Sequence, residues 1–377
     1  MLGINLTLLM GAQVPRPVSR ELVEALQSVE VTQTDEGRSG FQIVFQVGRR
    51  DRNDLQDYRL ISNPLFQVYN RVTLVVNVGA SAEVLMDGII TNQQLSPNPE
   101  PGKSTFTITG EDVSLMMDLE EKSEEHVAQD EATIATMIIG RYAKYGLLPT
   151  VVRPVFQDRP TPNERIPSQQ GTDLAYLQQI GQRFAHVFYV IPGPRAGINR
   201  AYWGPPQRQS LPQKALTVNM GSFTNVASVS FQNDATAATA VEGSVQDRQT
   251  NQVRPVQQNQ SVRPPLARQP ALSSQSHRRV RQFRETGRDT AQSDSRAQAI
   301  TDQSVDNVVT VNGELDTIRY GDFLHVRGLV GLRGVGYSYD GLYYVKSVTH
   351  KLKPGEYKQS FTITREGLGS TIQGVAG

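Results

Sequence analysis

The chain has 377 residues, enough for two or three domains that each bury a core. Lys and Arg number 38 against 37 Asp and Glu, a net charge of +1, so no whole-chain field draws it to nucleic acid or an anionic membrane. It has no cysteine, which excludes disulfides, zinc-thiolate sites and cysteine catalysis, and no apolar run reaches the ~18–20 residues of a membrane helix.

The opening, MLGINLTLLMGAQ, carries neither a basic leader nor a small-x-small cleavage site. It reads as a first strand ended by Pro15 and Pro17, which implies synthesis and assembly in the cytoplasm. Residues 19–27 read as a short helix capped by Ser19, with Leu22, Val23 and Leu26 as its buried stripe. In 41–47, Phe41, Ile43, Phe45 and Val47 alternate with Gln42, Val44 and Gln46. In 72–78, Val72, Leu74, Val76 and Val78 share a face. Period two with one apolar face predicts half-buried antiparallel strands.

Residues 116–190 change character. Asp130 can cap a helix carrying Ile134, Met137, Ile138, Tyr142 and Tyr145, stopped by Gly146 and Pro149. A second helix opens at Thr172 or Asp173, with Leu174, Leu177, Gly181 and Phe184 along one side, and runs into an apolar strand at 187–191. Strand signals return within 215–231. Residues 242–299 then hold eleven Gln, ten Arg, no Lys, five acids and one aromatic, Phe283. Such a composition predicts an extended arm ordered only by its neighbours. Strands resume from about 305.

One pattern occurs twice. Asp87-Gly88, a strand-like stretch, Pro101-Gly102 and FTIT at 106–109 match Asp340-Gly341, a second stretch, Pro354-Gly355 and FTIT at 361–364. The shared order predicts a structural duplication of 66–110 and 320–366. Two copies of one domain per chain let three chains present six similar units, a mechanical role rather than a chemical one.

Motifs for chemistry are weak. Gly102-Lys103-Ser104-Thr105 resembles the end of a phosphate loop, but Pro97 stands where the first Gly belongs and a strand follows instead of a helix. Gly336-Tyr337-Ser338-Tyr339-Asp340 and Gly79-Ala80-Ser81-Ala82-Glu83 each lack the second Gly of a nucleophile elbow. His126, His186, His277, His325 and His350 form no ligand pair. Glu124, Glu125, His126, Asp130 and Glu131 could hold a cation, and a solvated acidic patch is the competing reading. No carboxylate pair stands out for glycoside hydrolysis. The arginines of 242–299 could meet phosphates, but aromatics to stack on bases are nearly absent.

Residues 172–190, TDLAYLQQIGQRFAHVFYV, resemble the helix-then-strand segment of phage late control protein D and of type VI secretion spike proteins. Gly321-Asp322-Phe323-Leu324-His325-Val326, Gly341-Leu342-Tyr343-Tyr344-Val345, the strand at 348–352 and Phe361-Thr362-Ile363-Thr364-Arg365 resemble the last domain of that family. The start, from 6–9 through Pro15 to 29–31 and 41–45, resembles hub proteins of contractile phage tails and extracellular contractile injection systems. The resemblance covers most of the chain except 242–299.

It implies a mainly β, α+β fold with two tube-like antiparallel β-barrel domains and an α+β insertion. The implied division is a first tube-like domain at 1–115, an insertion with two helices at 116–200, returning strands at 201–241, the Gln/Arg arm at 242–300 and a second tube-like domain at 301–377. It implies a structural baseplate hub without catalysis, cofactor or metal. The implied hub is a homotrimer that would adapt a threefold spike to a sixfold inner tube. Its implied partners are the tube or a tube-initiator protein, a trimeric spike on a separate chain and baseplate wedge proteins, with no specific nucleic acid and no membrane insertion. Thr105, Thr107, Thr362 and Thr364 would face away from the core. The alternatives are a tail-associated cell-wall hydrolase, or a secreted carbohydrate-binding or adhesive β-protein.

Overall fold

The computed structural model describes residues 4–12, 14–48, 60–78, 81–100, 102–156, 160–248 and 250–371. Pro101, Gly79 and Ala80 of the motifs above lie outside the described residues.

The alternating segments become β1 (Ile4–Gly11), the short β2 (Arg16–Pro17), β3 (Leu26–Thr34), β4 (Gly40–Val47), β5 (Arg71–Val78), β6 (Ser81–Ser96) and β7 (Ser104–Asp112). Phe41, Ile43, Phe45 and Val47 are all buried, while Gln42 and Gln46 are exposed. The rings of Phe45 and Phe106 meet Phe66 edge-on at 5.1 and 5.4 Å in this first core. Helix α1 (Arg20–Glu24) is shorter than the sequence suggests. Ser19 makes no side-chain cap, Val23 is exposed, and Leu26 already belongs to β3, whose pairing overrides helix propensity.

The insertion follows as β8 (Glu121–Glu125), α2 (Glu131–Gly140), β9 (Leu147–Val151), β10 (Ser168–Thr172), α3 (Asp173–Gln182), β11 (Val187–Pro192) and β12 (Asn199–Gly204). Both helices start as the sequence predicts. Asp130 accepts the Thr133 N–H at 3.0 Å, and Thr172 accepts that of Ala175 at 3.2 Å. Ile134, Ile138, Leu177, Ile180 and Trp203 share a separate core.

The chain then forms β13 (Gln213–Thr217), β14 (Val226–Asn233), β15 (Thr239–Gln246), β16 (Val253–Gln258), β17 (Ala267–Pro270), α4 (Ala271–Ser274), β18 (Arg279–Phe283) and α5 (Thr290–Ser304). It ends with β19 (Val309–Asp316), α6 (Thr317–Tyr320), β20 (Leu329–Arg333), β21 (Gly341–Lys353), β22 (Glu356–Arg365) and β23 (Gly367–Ser370). The Gln/Arg-rich segment is therefore not an extended arm. Strand β15 lies between antiparallel β16 and parallel β18, and α5 covers the sheet. Val241, Val245, Val256, Phe283 and Ala297 make a small core. Polar side chains do the rest locally: Asp247 accepts N–H groups from Thr250 and Thr290, each at 2.8 Å.

One large sheet runs β14-β19-β22-β21-β3-β4-β7-β6-β5-β1-β2, with β20 on β21 and β13 on β20. It contains the same arrangement twice. In chain order, β1, β3, β4, β5, β6 and β7 correspond to β13, β14, β19, β20, β21 and β22. Every pairing matches in direction except the outermost, where β1 is antiparallel to β5 and β13 is parallel to β20. The irregularities match too. A register shift at 26/28 recurs at 226/228, and one at 90/92 recurs at 345/347. Tyr69 (φ 68°) and Arg327 (φ 69°) hold the left-handed conformation at the same point of each unit. Their N–H groups reach the carbonyls of Ile90 and Val345, at 2.8 and 2.7 Å. The N–H groups of Ile90 and Val345 return to Asn70 and Gly328, at 2.9 and 2.8 Å.

The repeat seen in the sequence falls on the same hairpin in both units, β6–β7 and β21–β22, but slipped by two residues. With the bulges aligned, Gly88 matches Tyr343 rather than Gly341, and Ile108 rather than Phe106 matches Phe361. Strands β21 and β22 are joined by Pro354-Gly355 alone, whereas residues 97–103 join β6 to β7. Pro354-Gly355 thus forms the whole turn of one hairpin, while the other has a longer connection. A slip of two keeps every side chain on its face, so alternation alone cannot expose it. Thr105 and Thr107 lie half-buried opposite Phe106 and Ile108, and Thr362 is likewise half-buried. Thr364 does not face outward; it is buried, as is the neighbouring Arg365.

Candidate functional site: the junction between the two sheet units

The residues singled out for chemistry are spread across the fold. Lys103 precedes β7, a strand, and pairs with Glu100. Ser81 opens β6. Ser338 sits in a turn whose carbonyl accepts a 2.6 Å bond from Arg365. Glu124 is held by the fork of Arg141, Asp130 by Arg153 at 3.2 Å, and Glu131 by Arg183 at 3.6 Å. His126 is buried and stacks on Tyr176 with centroids 5.6 Å apart. These acids therefore act as helix caps and ion-pair partners. Among the described residues, no three of His, Asp and Glu are grouped to hold a metal.

What the fold brings together is the joint between its two units. Strands β3 and β21 pair antiparallel, from Ser347 opposite Thr34 to Leu352 opposite Val29. The hydroxyls of Thr32 and Thr349 meet at 3.0 Å, and the Asp35 N–H donates to the Lys346 carbonyl at 3.1 Å. Phe323, Leu352 and Tyr357 from the second unit enter the core of the first. His325 pairs with Glu83 across the joint at 3.0 Å, and that hydrogen bond raises its pKa above the ordinary histidine value. His350, fully buried opposite Val31, lies 2.7 Å from the Tyr357 hydroxyl. Burial pushes its pKa down to about 3, so it is neutral there.

Arg327 is the pin of the joint. Its Nε and Nη2 donate to the Thr34 carbonyl at 3.0 and 2.5 Å, Nη1 to the Val190 carbonyl at 3.0 Å, and Nη2 to the Ser39 hydroxyl at 3.2 Å. Its guanidinium lies 4.0 Å over the Tyr189 ring. One side chain from the second unit thereby ties the β3–β4 turn to β11 of the insertion. The buried Asp112 carboxylate accepts the Ser39 N–H at 2.7 Å. Burial raises its pKa, and the Arg327 charge acts in the opposite direction. Asp35, beside the same joint, is raised to about 7, first by burial and next by Glu36, against the pull of Lys346.

A second buried ion network anchors the Gln/Arg-rich insertion. Arg208 bridges Asp306 at 2.6 Å and Glu366 at 3.1 Å, and Arg263 adds a 2.6 Å bond to Asp306. Glu366 also accepts the N–H groups of Leu266 and Ala267, both at 2.6 Å. Sequence reading missed both Arg327 and this network. Their partners lie far away along the chain, and no local spacing encodes them.

No family model matches the chain, and neither does any curated protein. Among solved structures, the fold matches the tail protein of Neisseria meningitidis MC58 with a TM-score of 0.65 and 11% identity, over 97% of this chain and 98% of that one. It matches the 43 kDa tail protein of prophage MuSo2 from Shewanella oneidensis with a TM-score of 0.61 and 12% identity, over 96% and 98%. A component of the E. coli type VI secretion system, itself similar to the T4 bacteriophage tail proteins gp27 and gp5, matches with a TM-score of 0.55 and 8% identity, over 90% and 73%. The chain shares its fold with these phage tail and type VI secretion proteins, mainly β with an α+β insertion, as its sequence resemblance implies.

Proposed function

We propose that this protein is the structural hub of a phage-tail or contractile-injection baseplate, a homotrimer that adapts a threefold spike to a sixfold inner tube. The observation that carries this reading is the duplicated unit, five strands paired alike and a sixth of opposite sense, set side by side in one continuous sheet through β3 and β21. Three such chains present six similar docking surfaces to a tube while keeping threefold symmetry toward a spike. The tail and type VI secretion neighbours support a place in a tail particle. In this reading 1–115, the returning strands of 201–241 and 301–377 build the ring, and 116–200 and 242–300 are insertions on it. The role is mechanical and assigns no residue to catalysis, cofactor or metal. Assembly in the cytoplasm precedes incorporation into the particle, with tube, spike and wedge proteins as partners. Co-expression with the spike and tube proteins of the same gene cluster, followed by native mass measurement, tests it. Three copies of this chain bound to one spike trimer are expected, and any other ratio contradicts it.

A further inference from the structure

We propose that copies of the chain join by strand addition: β14 of one copy pairs antiparallel with the outer edge of 91–96 in β6 of the next, with Gln93 opposite Asn233 and Leu95 opposite Phe231. The proposal deepens the hub reading and rests on it only for the closure of the ring.

The template is inside the chain. The joint β3·β21 is filled, since β21 carries β20 on its first residues and β3 on 347–352. The corresponding strands at the ends of the chain are each half-filled. Strand β6 carries β5 through Ile89, and Asn70 and Tyr69 cover Ile90. From Thr91 to Ser96 it has β7 on one side and, among the described residues, no strand on the other. Strand β14, the counterpart of β3, has β19 on one side and, among the described residues, an open edge on the other. One chain thus ends in a β3-type edge lacking its β21, and in a β21-type edge lacking its β3. Each is what the other lacks.

The matched bulges carry the register across. Thr34 opposite Ser347 becomes Asp234 opposite Asn92, and Val31 opposite His350 becomes Phe231 opposite Leu95. The Asp35 N–H bond to the Lys346 carbonyl becomes a bond from the Ala235 N–H to the Thr91 carbonyl of the next copy. The side chains agree with a strand edge kept for a partner. Thr91, Asn92, Gln93 and Gln94 are exposed, as are Ser230, Gln232, Asn233 and Ala235, whereas Val31, Val348 and His350 of the filled joint are buried. Leu95 and Phe231, the one apolar pair in the new ladder, are half-buried against their own cores. Polar amides on a free edge suppress indiscriminate pairing while keeping the main chain available. Such an edge associates weakly in dilute solution and firmly once a ring can close. Because the contact is head-to-tail, it closes a ring or runs on as a filament according to its angle.

The chain has no cysteine, so introduced pairs report cleanly. Gln93→Cys and Asn233→Cys are placed in one chain, and the concentrated full-length protein is oxidised. Facing Cα atoms in a ladder are ~4.5–5.5 Å apart, within disulfide reach. The expected result is covalent multimers on a non-reducing gel. The expected control, Gln93→Cys with Ser230→Cys, three residues and about 10 Å out of register, gives none. Mixing the two single variants should stop at the dimer. Gln93→Cys removes the bond that the Gln93 amide donates to the Phe66 carbonyl, and both cross-linking variants share that loss, so their comparison isolates the register. Absence of in-register cross-links, or equal cross-linking of the control, overturns the pairing. A ladder that closes at a number other than three keeps the pairing and sinks the trimer. A three-copy particle without the cross-link keeps the hub and sinks the pairing.

Discussion

Replacing Arg327 with alanine should loosen the two units from each other and from the insertion. The side chain satisfies the carbonyls of Thr34 and Val190 and the hydroxyl of Ser39, and its charge lies beside the buried Asp112 and over the Tyr189 ring. Leaving a buried acceptor unpaired costs about 1–3 kcal/mol, and removing one member of a buried charged set costs about 3–5 kcal/mol. These overlap, so the expected loss is about 3–5 kcal/mol. Backbone geometry supplies an internal control. At φ 69° a Cβ is strained by about 1–2 kcal/mol, so Arg327→Gly should be less destabilising than Arg327→Ala by about that amount. The single tryptophan, Trp203, is buried in the insertion core and bonded to the Leu177 carbonyl at 3.0 Å, so its fluorescence follows loosening of the insertion during urea unfolding. An alanine variant that unfolds within about 1 kcal/mol of the parent, or a glycine variant worse than alanine, would refute the role given to this side chain.

The pH dependence carries a second test. Asp35 is raised from 3.8 to about 7, so the folded state holds a proton that the unfolded state loses, and stability falls as pH rises through that window. Asp35→Asn should flatten this slope and raise the melting temperature at pH 8; an unchanged slope contradicts it. His350, held at about 3 against an ordinary 6.5, acts in the opposite sense, withdrawing stability as pH falls from about 6.5 toward about 3. His350→Gln should lessen the acid-side loss in a melting series, and an identical acid limb would count against the assignment. At Gly110 an added Cβ would lie 2.1 Å from the Ile89 carbonyl and 2.4 Å from the Phe41 ring. Gly110→Ala should therefore cost about 1–3 kcal/mol in urea titrations, and a neutral result would refute the close strand approach.

Local patterns were legible where one chemical preference decides the outcome. The buried face of 41–47, the Asp130 and Thr172 caps and the recurrence of one hairpin all appear in the residues themselves. Helix α1 was overestimated because the pairing of β3 competes for Leu26. Composition misjudged 242–299: a sheet of three strands needs few apolar residues when Phe283, Val241 and Val256 meet, and when Asp306 and Glu366 pin the segment from distant positions. Register was out of reach because Pro-Gly sits at unequal distances from the bulges. The joint itself was invisible, since Arg327 finds Thr34 and Val190 only after three separate parts of the chain have folded.

In the proposed hub, two matched units per chain convert threefold into sixfold symmetry. An electron cryomicroscopy reconstruction of the intact particle, calculated without imposed symmetry, tests this most directly. Three copies of this chain are expected between tube and spike, with the first and second sheet units alternating around one ring. Six copies, a single copy, or three copies whose units do not alternate would contradict it.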